Sequence, residues 1–449
     1  MAFVGTGHRA ELYFAALLGD HAADAVPVAL CDPNPGRMGY YQAVWQSAHP
    51  GVELDTFELD PARPVAFDHM LLSHQPGAVV VATVDSTHAH YVATALDHGC
   101  DVICEKPLTT DLDGCRRIVE AARRSDARLI VTFNYRYSPR NSLVKQLVDG
   151  GEIGTVTSVH FEWLLDTVHG ADYFRRWHRN RANSGGLLVH KSTHHFDLVN
   201  WWLADRPETV SAHATLRFYG AGNARARGLG ERPARSRDAI AANPNLGDPF
   251  TIDLAADDRL RRLYLESEHH DGYVRDEDPF AAGVTIDDNM AVLARYHGGA
   301  LLTYSLNAHA PWEGYRVALN GTTDRIELDV VERAATKRPG ASEPPELGAR
   351  LAGTVLTLQR HWGPAERIDV TSGGDGHGGG DALLLADLFG PPTPDPLGRQ
   401  AGYRDGVSSV LTGIAANQSA ASGQPVRLDE LGAGIVEPAT EPMATGAPR

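Results

Sequence analysis

Three histidines and a lysine fall within six residues, His190-Lys191-Ser192-Thr193-His194-His195, and Asp197 follows closely. Imidazoles and amines take and give protons near neutral pH. On a helix His190 and His194 share a face at i, i+4. Lys191 meets His194 at i, i+3 and His195 at i, i+4, and Asp197 stands at i, i+3 from His194, placed to orient that ring. The flanks, Gly185 to Val189 and Leu198 to Leu203, are apolar, so this is not a solvated polar face. The His190/His194 spacing also suits zinc. The Glu of H-E-x-x-H is missing, however, and Lys191 would repel a cation, so no metal is expected. The second chemical segment is Glu105-Lys106-Pro107. Of 41 basic residues only four are lysines, at positions 106, 145, 191 and 337. An ammonium can lose its proton and a guanidinium in practice cannot. Lysines retained in two such segments are therefore candidates for proton transfer.

A third segment can hold a cofactor. Gly5-Thr6-Gly7-His8-Arg9-Ala10 fits G-x-G-x-x-A between an apolar strand and a helix. The first glycine permits the tight turn, the second lets a pyrophosphate approach the backbone, and Ala10 lets helix and strand pack closely. Asp32 closes the next strand, where its carboxylate accepts from ribose hydroxyls and repels a 2′-phosphate, so NAD is expected over NADP. Arg37 could instead pair with such a phosphate, which keeps NADP open; the plainer reading is a surface arginine.

These segments need elements to position them. Ala2-Phe3-Val4, Val28 to Cys31, Val79 to Ala82, Val102 to Cys104 and Leu129 to Thr132 read as buried strands. They alternate with helix patterns ending near Leu18, at Met38 to Ala48, Ala89 to His98 and Asp111 to Ser125. Such alternation implies a parallel sheet covered on both faces, with ligands at the carboxyl ends of its strands, where Lys106 stands. After Tyr135 the pattern changes. Val156 to Leu164, Thr209 to Arg217, Met290 to Tyr296, Ala300 to Leu306, Tyr315 to Leu319 and Arg325 to Val330 read as strands of a mostly antiparallel sheet with one face free. Tyr219 to Asp248 and the glycine-rich Thr371 to Asp381 read as mobile loops, Gly402 to Ser422 as an amphipathic helix, and the tail from about Glu437 as disordered. The expected division is a Rossmann-type α/β domain at 1–134 and an α+β substrate and oligomerisation domain at 135–436, with the helix 402–422 packed back on the first domain and a tail at 437–449.

Composition narrows the partners. Asp+Glu number 57 against 41 Lys+Arg, a net charge of −16. That field disfavours nucleic acid and anionic lipid. Four scattered cysteines and no long apolar run point to a cytoplasmic chain that does not span a membrane.

Taken together, the glycine fingerprint, Ala82-Thr83 with His88, Glu105-Lys106-Pro107, and Gly185-Gly186 followed by His194 and Asp197 resemble the Gfo/Idh/MocA oxidoreductases over roughly residues 1 to 430. The resemblance implies a Rossmann domain with Thr83, His88 and Glu105 near the cofactor, and an open antiparallel sheet through which a homodimer or homotetramer forms. It also implies NAD(P)-dependent oxidation or reduction of a sugar or cyclitol. The family's lysine maps to Lys106 and the histidine of its D-x-x-x-H pair to His194. His190 occupies the aspartate position, a departure that Lys191 and His195 are placed to offset. Tyr173, Trp177, His178 and Asn307, with His169, His309, Trp312 and Glu313 near them, mix ring faces with polar tips and are candidates to hold a sugar. Glu268-His269-His270-Asp271 reads as a solvated polar run. Two further functions fit the same scaffold: glycoside cleavage through transient oxidation with no net redox change, and nucleotide sensing without catalysis.

Overall fold

The computed structural model describes residues 1–435, apart from 61, 244–246, 337–349, 372–376 and 433. Lys337, the centre of the glycine-rich stretch and the tail lie outside them. Strands β1 (Ala2–Val4), β2 (Ala29–Asp32), β3 (Asp55–Glu58), β4 (Ala78–Val81), β5 (Asp101–Cys104) and β6 (Leu129–Val131) form one sheet in the order β3-β2-β1-β4-β5-β6. Every pairing in it is parallel. The strand order reverses between β1 and β4, which opens a crevice at their carboxyl ends. β1, β2 and most of β4 and β5 are buried, as a sheet with helices on both faces requires. β3 is largely exposed at the sheet edge and carries no apolar run, so periodicity does not reveal it.

The second sheet contains β7 (Val156–Asp166), β8 (Pro207–Thr215), β9 (Asn289–Tyr296), β10 (Leu301–Ala310), β11 (Glu313–Gly321), β12 (Asp324–Arg333), β13 (Gly353–Arg360), β14 (Ala365–Ile368) and β15 (Val426–Arg427). Their order is β14-β13-β12-β11-β7-β10-β9-β8-β15. All neighbours are antiparallel except β7 and β10. Exposed and buried residues alternate strictly along β9. One face covers the core and the other is open, with Leu293 and Leu301 on the open side.

One expectation changes. The stretch from Tyr219 to Asp248 is not a mobile loop: it contains helices Ala221–Ala226 and Ser236–Ala242. It continues into Asp258–Leu260, a π-helical turn Arg261–Leu265 and Glu268–Asp271. Arginine–carboxylate pairs order it, among them Arg232 with Asp278 and Arg235 with Asp276. A run of Arg, Gly and Pro looks mobile only while its acidic partners, some 40 residues away, are out of view. The helix at Tyr403–Ser422 forms as expected and packs on both β6 and β8, so it joins the two sheets. No helix among the described residues is long and apolar enough to cross a membrane.

Candidate active site

The glycine turn comes first. Gly5 has φ +84°, and a Cβ there would meet the Ala82 carbonyl group at 2.6 Å, so only glycine lets β1 turn against β4. Beneath it the Thr6 N–H donates to Asp32 Oδ2 at 2.6 Å and the Asn34 N–H to Asp32 Oδ1 at 2.8 Å. Arg37 is not a surface residue. Its guanidinium is buried, 3.0 Å from Asp32 Oδ1 and 2.5 Å from Asp271. Asp271 lies in the run Glu268–Asp271, which is exposed or half-buried as expected, yet its carboxylate reaches Arg37 of the first domain.

The Lys106 end is built from four loops. Lys106 follows β5, and its bond to Pro107 is cis. Glu105 accepts from Arg9 Nε and Tyr13 Oη, both at 2.5 Å. Burial opposes the Glu105 charge, but Arg9 and the Tyr13 hydrogen bond outweigh it and keep the carboxyl below its ordinary range. His88 bridges two of the loops, with Nδ1 2.8 Å from the Pro107 carbonyl and Nε2 3.2 Å from the Thr83 carbonyl. Both its ring nitrogens therefore serve the scaffold.

Lys106 Nζ lies 3.4 Å from His190 Nε2, and His190 Nδ1 lies 2.5 Å from Asp85 Oδ2. Asp85 comes from the turn after β4 and was missed in the sequence. Nothing marks it there beyond its place between Thr83 and His88. The three form a line, carboxyl to imidazole to amine. Burial pushes the Asp85 carboxyl well above its ordinary value, against the pull of Lys106; in the tautomer that donates to Asp85 through Nδ1, the ring accepts from Lys106 through Nε2. Burial lowers Lys106 to about 8, against the pull of Asp85 and Glu105. Burial, and then Lys106, holds His190 well below its ordinary value, so the ring is neutral. Both its nitrogens are engaged in this line. Among the described residues no three metal-binding side chains converge.

Lys191 stands where two short helices, Leu187–His190 and Ser192–Leu203, meet. Its Nζ donates to Tyr135 Oη at 3.1 Å and sits 4.8 Å from the centre of the Trp163 ring. Burial, and then the charge on Lys106, brings it to about 7. His194 faces the same cavity, its ring 4.6 Å from that of Tyr135. Asp197 does not orient His194. It is held by Arg136 at 2.6 and 2.7 Å, a buried pair that fixes the Ser192–Leu203 helix. Breaking such a pair costs about 3–5 kcal/mol.

One cavity of about 860 Å³ gathers His8, Arg9, Thr83, His88, Glu105, Lys106, Tyr173, Trp177, His178, His190, Lys191 and His194, along with Asp85 and His169. Of the residues expected to hold a sugar, His195, Asn307, His309, Trp312 and Glu313 do not line it. His195 is buried beyond the wall, with Nδ1 2.7 Å from Tyr304 Oη and its ring stacked 4.1 Å from Trp163. Asn307 lies along β10 beside His309 at 3.2 Å and does not line the cavity. Helical spacing alone cannot say which side of a buried helix meets a cavity. Trp177 stacks on His178 at 3.6 Å, and the His178 ring stands 4.2 Å from His190.

A dinucleotide fits these residues. The turn at Gly5 is one a Cβ would fill, Thr6 has a buried hydroxyl without a partner, and a carboxylate ends β2. Fold and crevice thus define a nucleotide-binding α/β domain joined to an open-sheet domain, with a site of proton-exchanging groups between them. Residues 1–133 match the family model described as "Oxidoreductase family, NAD-binding Rossmann fold", and residues 145–428 match "Oxidoreductase family, C-terminal alpha/beta domain". The chain belongs to the Gfo/Idh/MocA oxidoreductase family. YteT of Bacillus subtilis is 37% identical over 374 residues, 82% of this chain and 84% of YteT. Inositol 2-dehydrogenase of Rhizobium meliloti is 27% identical over 214 residues, 47% of this chain and 57% of that one. Among solved structures, levoglucosan dehydrogenase in complex with NADH and L-sorbose aligns with a TM-score of 0.63 at 18% identity, over 95% of this chain and 98% of that chain. At that identity the likeness is one of fold.

Proposed function

We propose that this chain is an NAD-dependent dehydrogenase acting on a ring CH–OH of a sugar or cyclitol. The observation that carries the reading is the Asp85–His190–Lys106 line opening into a cavity walled by His194, Tyr173 and Trp177. Gly5, Thr6, Gly7, His8 and Arg9 would hold the dinucleotide, with Asp32 at its adenosine ribose. When bound, the nicotinamide supplies the hydride acceptor.

The protein's part is orientation and proton transfer. Neutral Lys106 accepts the proton of the substrate hydroxyl as the C–H bond delivers its hydride. The resulting ammonium is stabilised by His190 Nε2, which Asp85 holds in the accepting tautomer. His194 hydrogen-bonds the same hydroxyl or its neighbour, and the Tyr173 and Trp177 rings cover the apolar face of the sugar. Lys191, brought to about 7, exchanges its proton near neutral pH and can share charge that enters the site. Relatives named as inositol dehydrogenases and a fold neighbour holding L-sorbose support a polyhydroxylated substrate. No observation favours the glycosidase or sensor readings.

The test is a panel of aldoses, inositols and anhydrosugars scored for NADH at 340 nm. At least one is expected to turn over, and Lys106→Ala is expected to lower kcat by about 10³-fold or more while the Kd for NAD changes less than about threefold. Wild-type rates in Lys106→Ala would sink the assignment.

A further inference from the structure

The segment between β8 and β9 crosses back to the first domain and lands on the glycine turn. The His8 N–H, one of the turn amides presented at the helix N-terminus, donates to Tyr264 Oη at 2.8 Å. Asn34 Nδ2 donates to the Ser267 carbonyl at 2.8 Å, and Arg37 pairs with Asp271. The approach is close: a Cβ on Gly36 would meet Ser267 Oγ at 2.5 Å. Asp32 is left only 3% exposed. The cavity that contains Lys106 reaches His8 but not Asp32, so this segment seals the adenosine half of the crevice.

The seal carries excess positive charge beside His8. Asp172 is shared by Arg176 at 3.1 Å and Arg275 at 2.8 Å, one carboxylate between two guanidiniums. Arg275 is 6% exposed, its guanidinium lies 5.9 Å from the Tyr264 ring, and its Nη1 has no hydrogen-bond partner. Arg176 Nε and the Tyr273 hydroxyl are likewise buried without partners. The His8 ring senses the same field. Burial and then Arg259, Arg176 and Arg275 lower it to about 4. Unpaired buried donors are costly, and a cluster of them beside an anion-binding turn indicates an anionic ligand.

We propose that the 258–276 segment is part of the cofactor site: a diphosphate oxygen replaces the Tyr264 hydroxyl on the His8 N–H, and Arg275 and Arg176 supply its counter-charge. The proposal rests on NAD binding by the first domain. It adds that the second domain grips the cofactor by its phosphates, so the cofactor leaves only when this segment lifts.

Calorimetric titration of the full chain with NAD, ADP and adenosine tests it. Arg275→Gln is expected to weaken NAD and ADP by about tenfold or more while adenosine changes less than about twofold. Arg275→Lys should restore part of the loss. Tyr264→Phe, which frees the His8 N–H, should leave ADP affinity unchanged or tighter. Equal weakening of adenosine and ADP would mean a structural role, and no change in either would mean no contact; both overturn the proposal. So would a loss of ADP affinity in Tyr264→Phe. Should Arg275→Gln misfold by circular dichroism, Arg176→Gln carries the same comparison. A wild type that binds neither NAD nor ADP would remove the NAD reading itself.

Discussion

The two ends of the crevice solve opposite problems. At the Asp32 end charges are fixed: Asp32 and Arg37 are buried and paired, and Asp271 reaches Arg37 from an exposed helix. At the Lys106 end burial brings the lysines into the neutral range, Lys106 to about 8 and Lys191 to about 7, beside a neutral His190. Burial acts in both places. Around Arg37 two carboxylates outweigh it; at Lys106 the pull of Asp85 and Glu105 offsets it only in part, and at Lys191 the charge on Lys106 adds to it. On the proposed function the first end holds the cofactor with permanent charge and the second exchanges protons, so the two tasks lie apart along one groove.

Mutations can break that separation. After Lys106→Ala, the largest effect is expected at Asp85. Asp85→Asn removes the carboxylate that orients His190, and kcat should fall about 10²-fold with the Kd for NAD nearly unchanged. Because Asp85 also raises the pKa of Lys106, the rising limb of the rate against pH should move to lower pH in this variant. A simple packing defect would not produce that shift.

In the wild type the sign follows from the same residue. Lys106 accepts a proton only when neutral, so the oxidation rate should climb as pH rises through about 8 and then level off. A rate that falls over that range would remove Lys106 as the base. At the other end, Asp32→Asn should lower the preference for NAD over NADP by about tenfold, read as the ratio of kcat/KM values, because the repulsion of a 2′-phosphate is lost. An unchanged ratio would assign cofactor choice to Arg37 and the segment covering it.

The smallest effect concerns stability. Lys191 has a folded pKa near 7, below its ordinary 10.5. Below pH 7 both folded and unfolded chains hold the proton, so the cost of burying the ammonium is fully present. Between about 7 and 10.5 only the unfolded chain holds it, so that cost fades as pH rises. Lys191→Met should therefore raise Tm by roughly 2–5 °C at pH 6, and the gain should shrink by pH 10. A gain independent of pH would mean that Lys191 has the same pKa in the folded and unfolded chains, and that burial does not lower it.

Much of the scaffold was legible because its signals are local. A buried strand, a glycine turn and a following helix lie within about 15 residues of one another, and so do Glu105, Lys106 and the strand before them. Edge strand β3 was not legible, because an exposed strand has no apolar run to show. The helical spacing of 190 to 197 reads as one chemical cluster, and the structure divides it. His190 and Lys191 enter the cavity together with His194, while His195 turns to Tyr304 and Asp197 to Arg136.

By itself the sequence determined the parallel sheet, the dinucleotide turn, the place of Lys106 and the family, since each depends on residues close together along the chain. Only the tertiary structure decided which carboxylate serves His190, which histidines see the cavity, and that the segment after β8 closes over Asp32 rather than hanging free. Asp85 and His190 are 105 residues apart, and Tyr264 and His8 are 256 apart. Contacts over such separations arise from the packing of two sheets around one crevice, which no periodicity in the chain records.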